Sequence, residues 1–147
     1  MLYSHQFIHL EIVISQEAIS RISFVKDTQP SPASTPLEKQ IKQQLDEYFA
    51  GTRTCFELPL CPQGTVFQKA VWQALSAIPY GQTRTYAQIA AQIGKPKACR
   101  AVGMANHNNP LPILIPCHRV IGADGRLTGY AGGLTIKQLL LDLERRA

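Results

Sequence analysis

The chain has 147 residues, 45% of them hydrophobic and 17% charged, and a formal net charge of +5. That length suits one domain, or a main domain with a small partner, and can bury a substantial core. The composition excludes a disordered chain, a collagen or solenoid period and a disulfide-stapled scaffold, and no window approaches the roughly 18 apolar residues of a membrane span. The first residues lack the order of a signal peptide, so the expectation is a cytoplasmic protein with reduced thiols and no membrane partner.

The charge is unevenly spread. Residues 1–60 carry five Lys/Arg and seven Asp/Glu, a balance of −2, whereas residues 61–147 carry ten and three, a balance of +7. No acidic residue lies between Glu57 and Asp124, a stretch that holds Lys69, Arg84, Lys95, Lys97, Arg100 and Arg119. Such a field attracts polyanions, of which nucleic acid is the commonest in a cell. A basic surface kept for solubility is the plainer alternative.

In chain order, Phe7 to Ile14 alternates, with Ile8, Leu10, Ile12 and Ile14 on one face, and predicts a strand. A second strand from Ile19 to Val25 would complete a hairpin. The segment 28–36 (TQPSPASTP) is a linker by composition. Thr35, Pro36 and Glu38 then form a capping box that starts a helix, with Leu37, Ile41, Leu45, Tyr48 and Phe49 as its apolar face and Gly51 as its stop.

Thr65 and Gln68 repeat the box for a second helix, whose apolar positions are Phe67, Ala70, Val71, Ala74, Leu75 and Ile78. Thr85 and Gln88 cap a third, with Tyr86, Ile89, Ala90 and Ile93 inward, closed by Gly94. Pro96 opens a fourth after a short connection, although Lys95 is a poor cap, and the pair predicts a helix-turn-helix. In that fourth helix Ala98, Ala101, Val102 and Ala105 form a slim inner face, with Lys97, Arg100, Met104 and His107 opposite. A tightly packed helix with a solvated Arg and a helix laid on nucleic acid are the two readings, and the acid-free surroundings favour the second. The prolines make Leu111 to Ile115 an extended, buried run that leads to Pro116-Cys117-His118-Arg119, and a last helix from Leu134 to Arg145 would bury Ile136, Leu139, Leu140 and Leu143.

Of the cysteines at 55, 61, 99 and 117, the first three match no metal spacing and read as structural or incidental. Cys117 lies beside His118 and Arg119, and cationic neighbours raise the thiolate fraction. A nucleophilic thiol needs a base and a group to orient it. His118 is the candidate base, and Glu144 the candidate orienter. Neighbours in an extended segment point to opposite faces, so direct contact between Cys117 and His118 would need an irregular backbone or a bridging water. On the dipeptide alone, an inert buried cysteine remains open.

Together, GTVFQKAVWQAL, IPYGQTRTYAQIA, KACRAVG, NNPLPILIPCHRVIG and GYAGGL, spread over residues 64–144, closely resemble the O6-alkylguanine-DNA alkyltransferases, or methylated-DNA–protein-cysteine methyltransferases. Residues 1–60 match only loosely. The resemblance implies direct reversal of DNA damage, in one irreversible turnover, by transfer of an alkyl group from O6-alkylguanine in duplex DNA to Cys117 after base flipping; O4-alkylthymine stays open as a second substrate. It implies a Glu144–His118–water–Cys117 network and a structural hydrogen-bonding role for Asn109. It makes Tyr86 a donor to the flipped base and Arg100 the residue that fills the gap in the stack. Tyr130, Ala131, Gly132 and Leu134 fall in the loop over the base pocket. The DNA-binding set is then Tyr86, Lys97, Ala98, Arg100, Ala101 and Arg119, with the fourth helix in the minor groove.

The expected fold is α/β. A small N-terminal α/β domain over 1–60, a strand hairpin plus a helix, precedes a mostly helical C-terminal domain over 61–147 that contains the helix-turn-helix. A monomer without cofactor is expected, and no metal, since residues 1–54 lack cysteine. Two other classes compete: a DNA-binding regulator in which Cys117 is only structural, and a thiol hydrolase that turns over repeatedly.

Overall fold

The computed structural model describes residues 1–146, which form two compact units, Met1–Pro62 and a second that begins at Gln63. Among these residues no helix is long and apolar enough to cross a membrane.

In the first unit, strands β1 (Leu2–His5), β2 (Ile8–Ser15) and β3 (Ala18–Phe24) form an antiparallel sheet in the order β1-β2-β3. The alternation of β2 buries Ile8, Leu10 and Ile12, and β3 adds Ile19 and Ile22. A register shift between Val13 and Ile14 takes Ile14 out of that row, so it is only half-buried. The hairpin is therefore present, but the sequence analysis missed β1, a four-residue strand in which only Tyr3 is buried. Helix α1 (Pro36–Phe49) starts at the Thr35/Glu38 capping box and buries Ile41, Gln44, Leu45, Tyr48 and Phe49. Leu37 stays half-buried, and Gln44 takes a core position because both ends of its amide are used: Nε2 donates to the Glu57 carbonyl at 3.3 Å, and Oε1 accepts from the Glu57 N–H at 2.9 Å.

The second unit opens with α2 (Val66–Ser76), set by the Thr65/Gln68 box, which buries Val71, Trp72, Ala74 and Leu75. Phe67 and Ala70 are half-buried, and Trp72 is the aromatic that the helix sends inward, its indole N–H donating to the Ala105 carbonyl at 2.8 Å. Strand β4 (Arg84–Thr85) leads into α3 (Tyr86–Gln92), again started by a Thr/Gln box. Ile89 and Ala90 are buried in α3, whereas Tyr86 and Ile93 are half-buried.

Helix α4 runs Cys99–His107, three residues later than Pro96 suggested. Lys95 is not its cap. Residues 95–98 form a turn closed by the Ala98 N–H on the Lys95 carbonyl at 2.9 Å, and Ala98 caps α4 without a side-chain bond. The α4 face is also rotated from expectation: Val102, Ala105 and Asn106 are buried, Ala98 is half-buried and Ala101 is exposed. Short strand β5 (Val120–Ile121) pairs in parallel with β4, and α5 (Leu134–Arg145) closes the unit.

Gly64 marks a close approach, because a Cβ there would fall on the Trp72 ring, which its bond to Ala105 holds in place. Gly64→Ala should therefore lower stability by about 1–3 kcal/mol as overpacking. The urea midpoint reads this; an unchanged midpoint would contradict it.

Candidate active site

The segment that carries Cys117 is shaped by one asparagine. Asn109 is buried; its Nδ2 donates to the Ile115 carbonyl at 2.9 Å, and its Oδ1 accepts from the Leu111 N–H at 3.0 Å. The amide supplies a donor at one atom and an acceptor at the other, which this pair of backbone groups uses together. The Ile115 N–H meets the Leu111 carbonyl at 2.8 Å, so residues 111–115 are a tight turn, not the extended run that the prolines suggested. Ile113 sits in that turn at φ 74°, a left-handed conformation that is rare for a β-branched residue. Strain of this kind costs about 1–3 kcal/mol, and the buried clamp around it holds it.

Cys117–Arg119 then form one 3₁₀ turn, with the Arg119 N–H on the Pro116 carbonyl at 3.0 Å. Successive side chains in such a turn diverge by about 120° instead of the 180° of a strand. The two side chains therefore diverge less than in a strand, but no hydrogen bond joins them: His118 Nε2 faces Glu144 and Nδ1 has no partner among the described residues.

Glu144 reaches this turn from α5. His118 Nε2 lies 2.6 Å from its Oε2, and a carboxylate only accepts, so Nε2 carries the proton. Arg119 grips the same carboxylate with Nε on Oε1 at 2.8 Å and Nη2 on Oε2 at 3.1 Å, while Nη1 donates to the Ile78 carbonyl at 2.7 Å. The Gly81 N–H adds a long contact to Oε1 at 3.5 Å, and the Arg119 guanidinium lies 5.7 Å from the Tyr80 ring centre. Arg119 is 7% exposed and fully engaged, so the expectation that it binds DNA is withdrawn.

His118 and Glu144 are 0% and 2% exposed. Burial holds the His118 pKa below its ordinary value, with the Arg119 and Lys137 charges adding to the effect and Glu144 opposing it. His118 Nδ1, buried and without a protein partner among the described residues, is then an unprotonated acceptor. Burial likewise pushes the Cys117 thiol up to about 11, although the Asn109 side chain and the Lys137 charge pull it back. The sequence expectation of a thiol activated by its cationic neighbours His118 and Arg119 is corrected: desolvation dominates, and the groups that oppose it are Asn109 and Lys137.

Lys137 is the residue that the sequence analysis missed. It is fully buried in α5, with Nζ donating to the Val120 carbonyl at 2.7 Å and to the Thr128 carbonyl at 3.3 Å. Its own pKa is lowered by burial and raised by Cys117. The inward stripe of α5 is Lys137, Leu140, Leu141 and Glu144; of the expected set Leu140 is buried, whereas Ile136, Leu139 and Leu143 are half-buried. Placing Glu144 inward would have revealed this, because seven residues are two helical turns.

Tyr86 opens α3 with its ring beside Gly103 of α4, and its hydroxyl contacts the Thr128 hydroxyl. Thr128 leads into the loop that holds Tyr130, which is buried, and Ala131, Gly132 and Leu134, which are exposed to half-buried. Gly133, at φ 92°, ends this loop as the cap of α5. Lys97, Arg100 and Met104 are exposed, Met104 at 61%. Cys55, Cys61 and Cys99 are exposed, and no three described His, Cys, Asp or Glu residues are grouped to hold a metal.

The chain matches two family models: the DNA binding domain of 6-O-methylguanine DNA methyltransferase over residues 66–146, and the ribonuclease-like domain of 6-O-methylguanine DNA methyltransferase over residues 2–62. The methylated-DNA–protein-cysteine methyltransferase of Methanosarcina barkeri is 61% identical over 106 residues, 72% of this chain and 67% of that protein. The constitutive methylated-DNA–protein-cysteine methyltransferase of Bacillus subtilis is 62% identical over 112 residues, 76% of this chain and 68% of that one. The crystal structure of Mycobacterium tuberculosis OGT in complex with DNA superimposes with a TM-score of 0.90 at 43% identity, covering 99% of this chain and 91% of that chain.

With a Cys117 pKa of about 11, roughly one molecule in ten thousand carries the thiolate at pH 7. Alkylation of the Cys117 peptide by iodoacetamide should therefore accelerate about tenfold per pH unit from pH 7 to 9. A plateau below pH 8 would show that the thiol is already ionised.

Proposed function

Since the chain belongs to the 6-O-methylguanine DNA methyltransferase family and repairs DNA by transferring an alkyl group to a cysteine of its own, we propose that Cys117 is the acceptor and that the second unit, from Gln63 on, presents it to an O6-alkylguanine turned out of the duplex. One observation carries this reading: Cys117 is the buried cysteine, and it adjoins a neutral imidazole whose free acceptor nitrogen is Nδ1. Cys55, Cys61 and Cys99 lie on the surface with no such base described beside them.

The chain would bind as a monomer with α4 in the minor groove, where Ala98, Ala101 and Gly103 keep the helix slim and Lys97 faces phosphate. Turning the base out costs a few kcal/mol of stacking and pairing. Arg100, exposed on α4, takes the vacated place, and the loop of Tyr130, Ala131, Gly132 and Leu134 encloses the base.

His118 Nδ1 then receives the Cys117 proton, directly or through a water, while Glu144 holds the Nε2 proton and the ring orientation. Lys137 supplies a positive charge that favours the sulfur as it ionises. Sulfur attacks the alkyl carbon, a C–S bond forms as the C–O bond breaks, and the electron pair goes to the guanine. Tyr86 donates to the ring as that charge develops. The thiol proton ends on guanine, and the thioether resists water, so each molecule acts once. A site that is never regenerated has no need of a resting thiolate, which fits the high pKa of Cys117.

The test is the intact mass after incubation with a duplex carrying one O6-methylguanine. One methyl group per chain is expected, mapped to the Cys117 peptide and absent in Cys117→Ser. An unchanged mass with the duplex still bound would favour a regulator, and repeated turnover on a small ester would favour a hydrolase.

A further inference from the structure

Resting on the reading of Tyr86 as donor to the base, we propose that Thr128 is a positioning residue for that donor, its hydroxyl donating to the Tyr86 oxygen so that the phenolic proton points to the substrate. The contact between the two hydroxyls joins residues 42 apart in sequence and ties the Thr128 segment to α3. Two hydroxyls in contact leave a choice of donor. If Tyr86 donated, its only proton would be engaged by Thr128 and the base would find no donor. With Thr128 donating, Tyr86 keeps its proton for the ring nitrogen, and accepting one hydrogen bond makes a hydroxyl a stronger donor of the next.

The backbone of Thr128 gives the arrangement a second half. Its carbonyl accepts from Lys137 Nζ at 3.3 Å, and the same ammonium donates to Val120 at 2.7 Å, three residues beyond Cys117. During transfer, negative charge leaves sulfur, near Lys137, and builds on guanine, near Tyr86. Thr128 touches both groups that meet this charge, its carbonyl on one and its hydroxyl on the other. It therefore fixes the spacing between the cation at the start of the charge movement and the donor at its end. The side chain suits an isosteric test, because valine keeps its methyl, which faces Gly122, and removes only the hydroxyl.

The experiment compares Thr128→Val, Thr128→Ser, Tyr86→Phe and the Val/Phe double variant in single-turnover transfer from a saturating O6-methylguanine duplex, with the dissociation constant for the duplex measured separately. Thr128→Val should slow transfer about three- to tenfold, the range of one hydrogen bond, with binding changed less than about twofold. Thr128→Ser should restore the rate, and Thr128→Val should add nothing in the Tyr86→Phe background. A Thr128→Val rate equal to the parent, or effects that multiply in the double variant, would overturn the proposal. If Tyr86→Phe alone leaves the rate unchanged, it is the reading of Tyr86 that fails. Should the valine variant not fold, Thr128→Ser against Thr128→Ala decides, the serine being fast and the alanine slow.

Discussion

One buried carboxylate organises the second unit. Glu144 accepts from His118 and twice from Arg119, and Arg119 reaches on to the Ile78 carbonyl at the end of α2. Helix α5, the turn of Cys117 and the α2–β4 connection therefore converge on two oxygen atoms. Removing one partner of such a buried pair costs about 3–5 kcal/mol, because the other charge is left uncompensated. The same contacts set the chemistry. Burial, with the Arg119 and Lys137 charges adding to it, keeps His118 neutral against the pull of Glu144, its proton on Nε2 and its lone pair on Nδ1.

A neutral imidazole beside a buried thiol differs from the ion pair of a turnover cysteine enzyme. Desolvation keeps Cys117 protonated at rest, and Lys137 and Asn109 reduce the cost of ionising it only when the reaction demands it. Such a thiol is protected from adventitious electrophiles. For a residue consumed by its own product that protection matters more than speed, and the exposed Lys69, Lys95, Lys97 and Arg100 of the acid-free stretch attract the polyanionic substrate.

The legible parts of the fold were those that local chemistry decides. All three capping boxes, Thr35/Glu38, Thr65/Gln68 and Thr85/Gln88, stand where the sequence analysis put them, since each is closed within four residues. Strand β1 was missed because four residues with one buried side chain show no alternation. Pro96 was read as a first-turn proline, but Lys95 offers no capping oxygen and the helix waits until Cys99. The turn at Ile113 breaks a local rule, since a β-branched residue with positive φ is what propensity excludes. In α5 the hydrophobic stripe pointed to leucines and isoleucine, whereas the core takes in Lys137 and Glu144 because partners await both. At the site, the Cys-His dipeptide and its charged neighbours made Cys117, His118 and Glu144 candidates but left an inert cysteine open, and the long run of motifs tipped the reading toward an acceptor. Arg119 was misjudged for the same reason that Lys137 was missed: charge in a sequence reads as surface until its partner is known.

The central claim is that the resting site holds a neutral thiol beside a neutral imidazole. Nitrogen-15 NMR of histidine-labelled protein, with His118 assigned by substitution, tests it most directly. At pH 7 the account predicts a protonated Nε2 and an unprotonated Nδ1 on His118, unchanged down to the ordinary histidine pKa of 6.5 because the group titrates below it. Two protonated ring nitrogens at pH 7 would instead reveal an imidazolium and contradict the account.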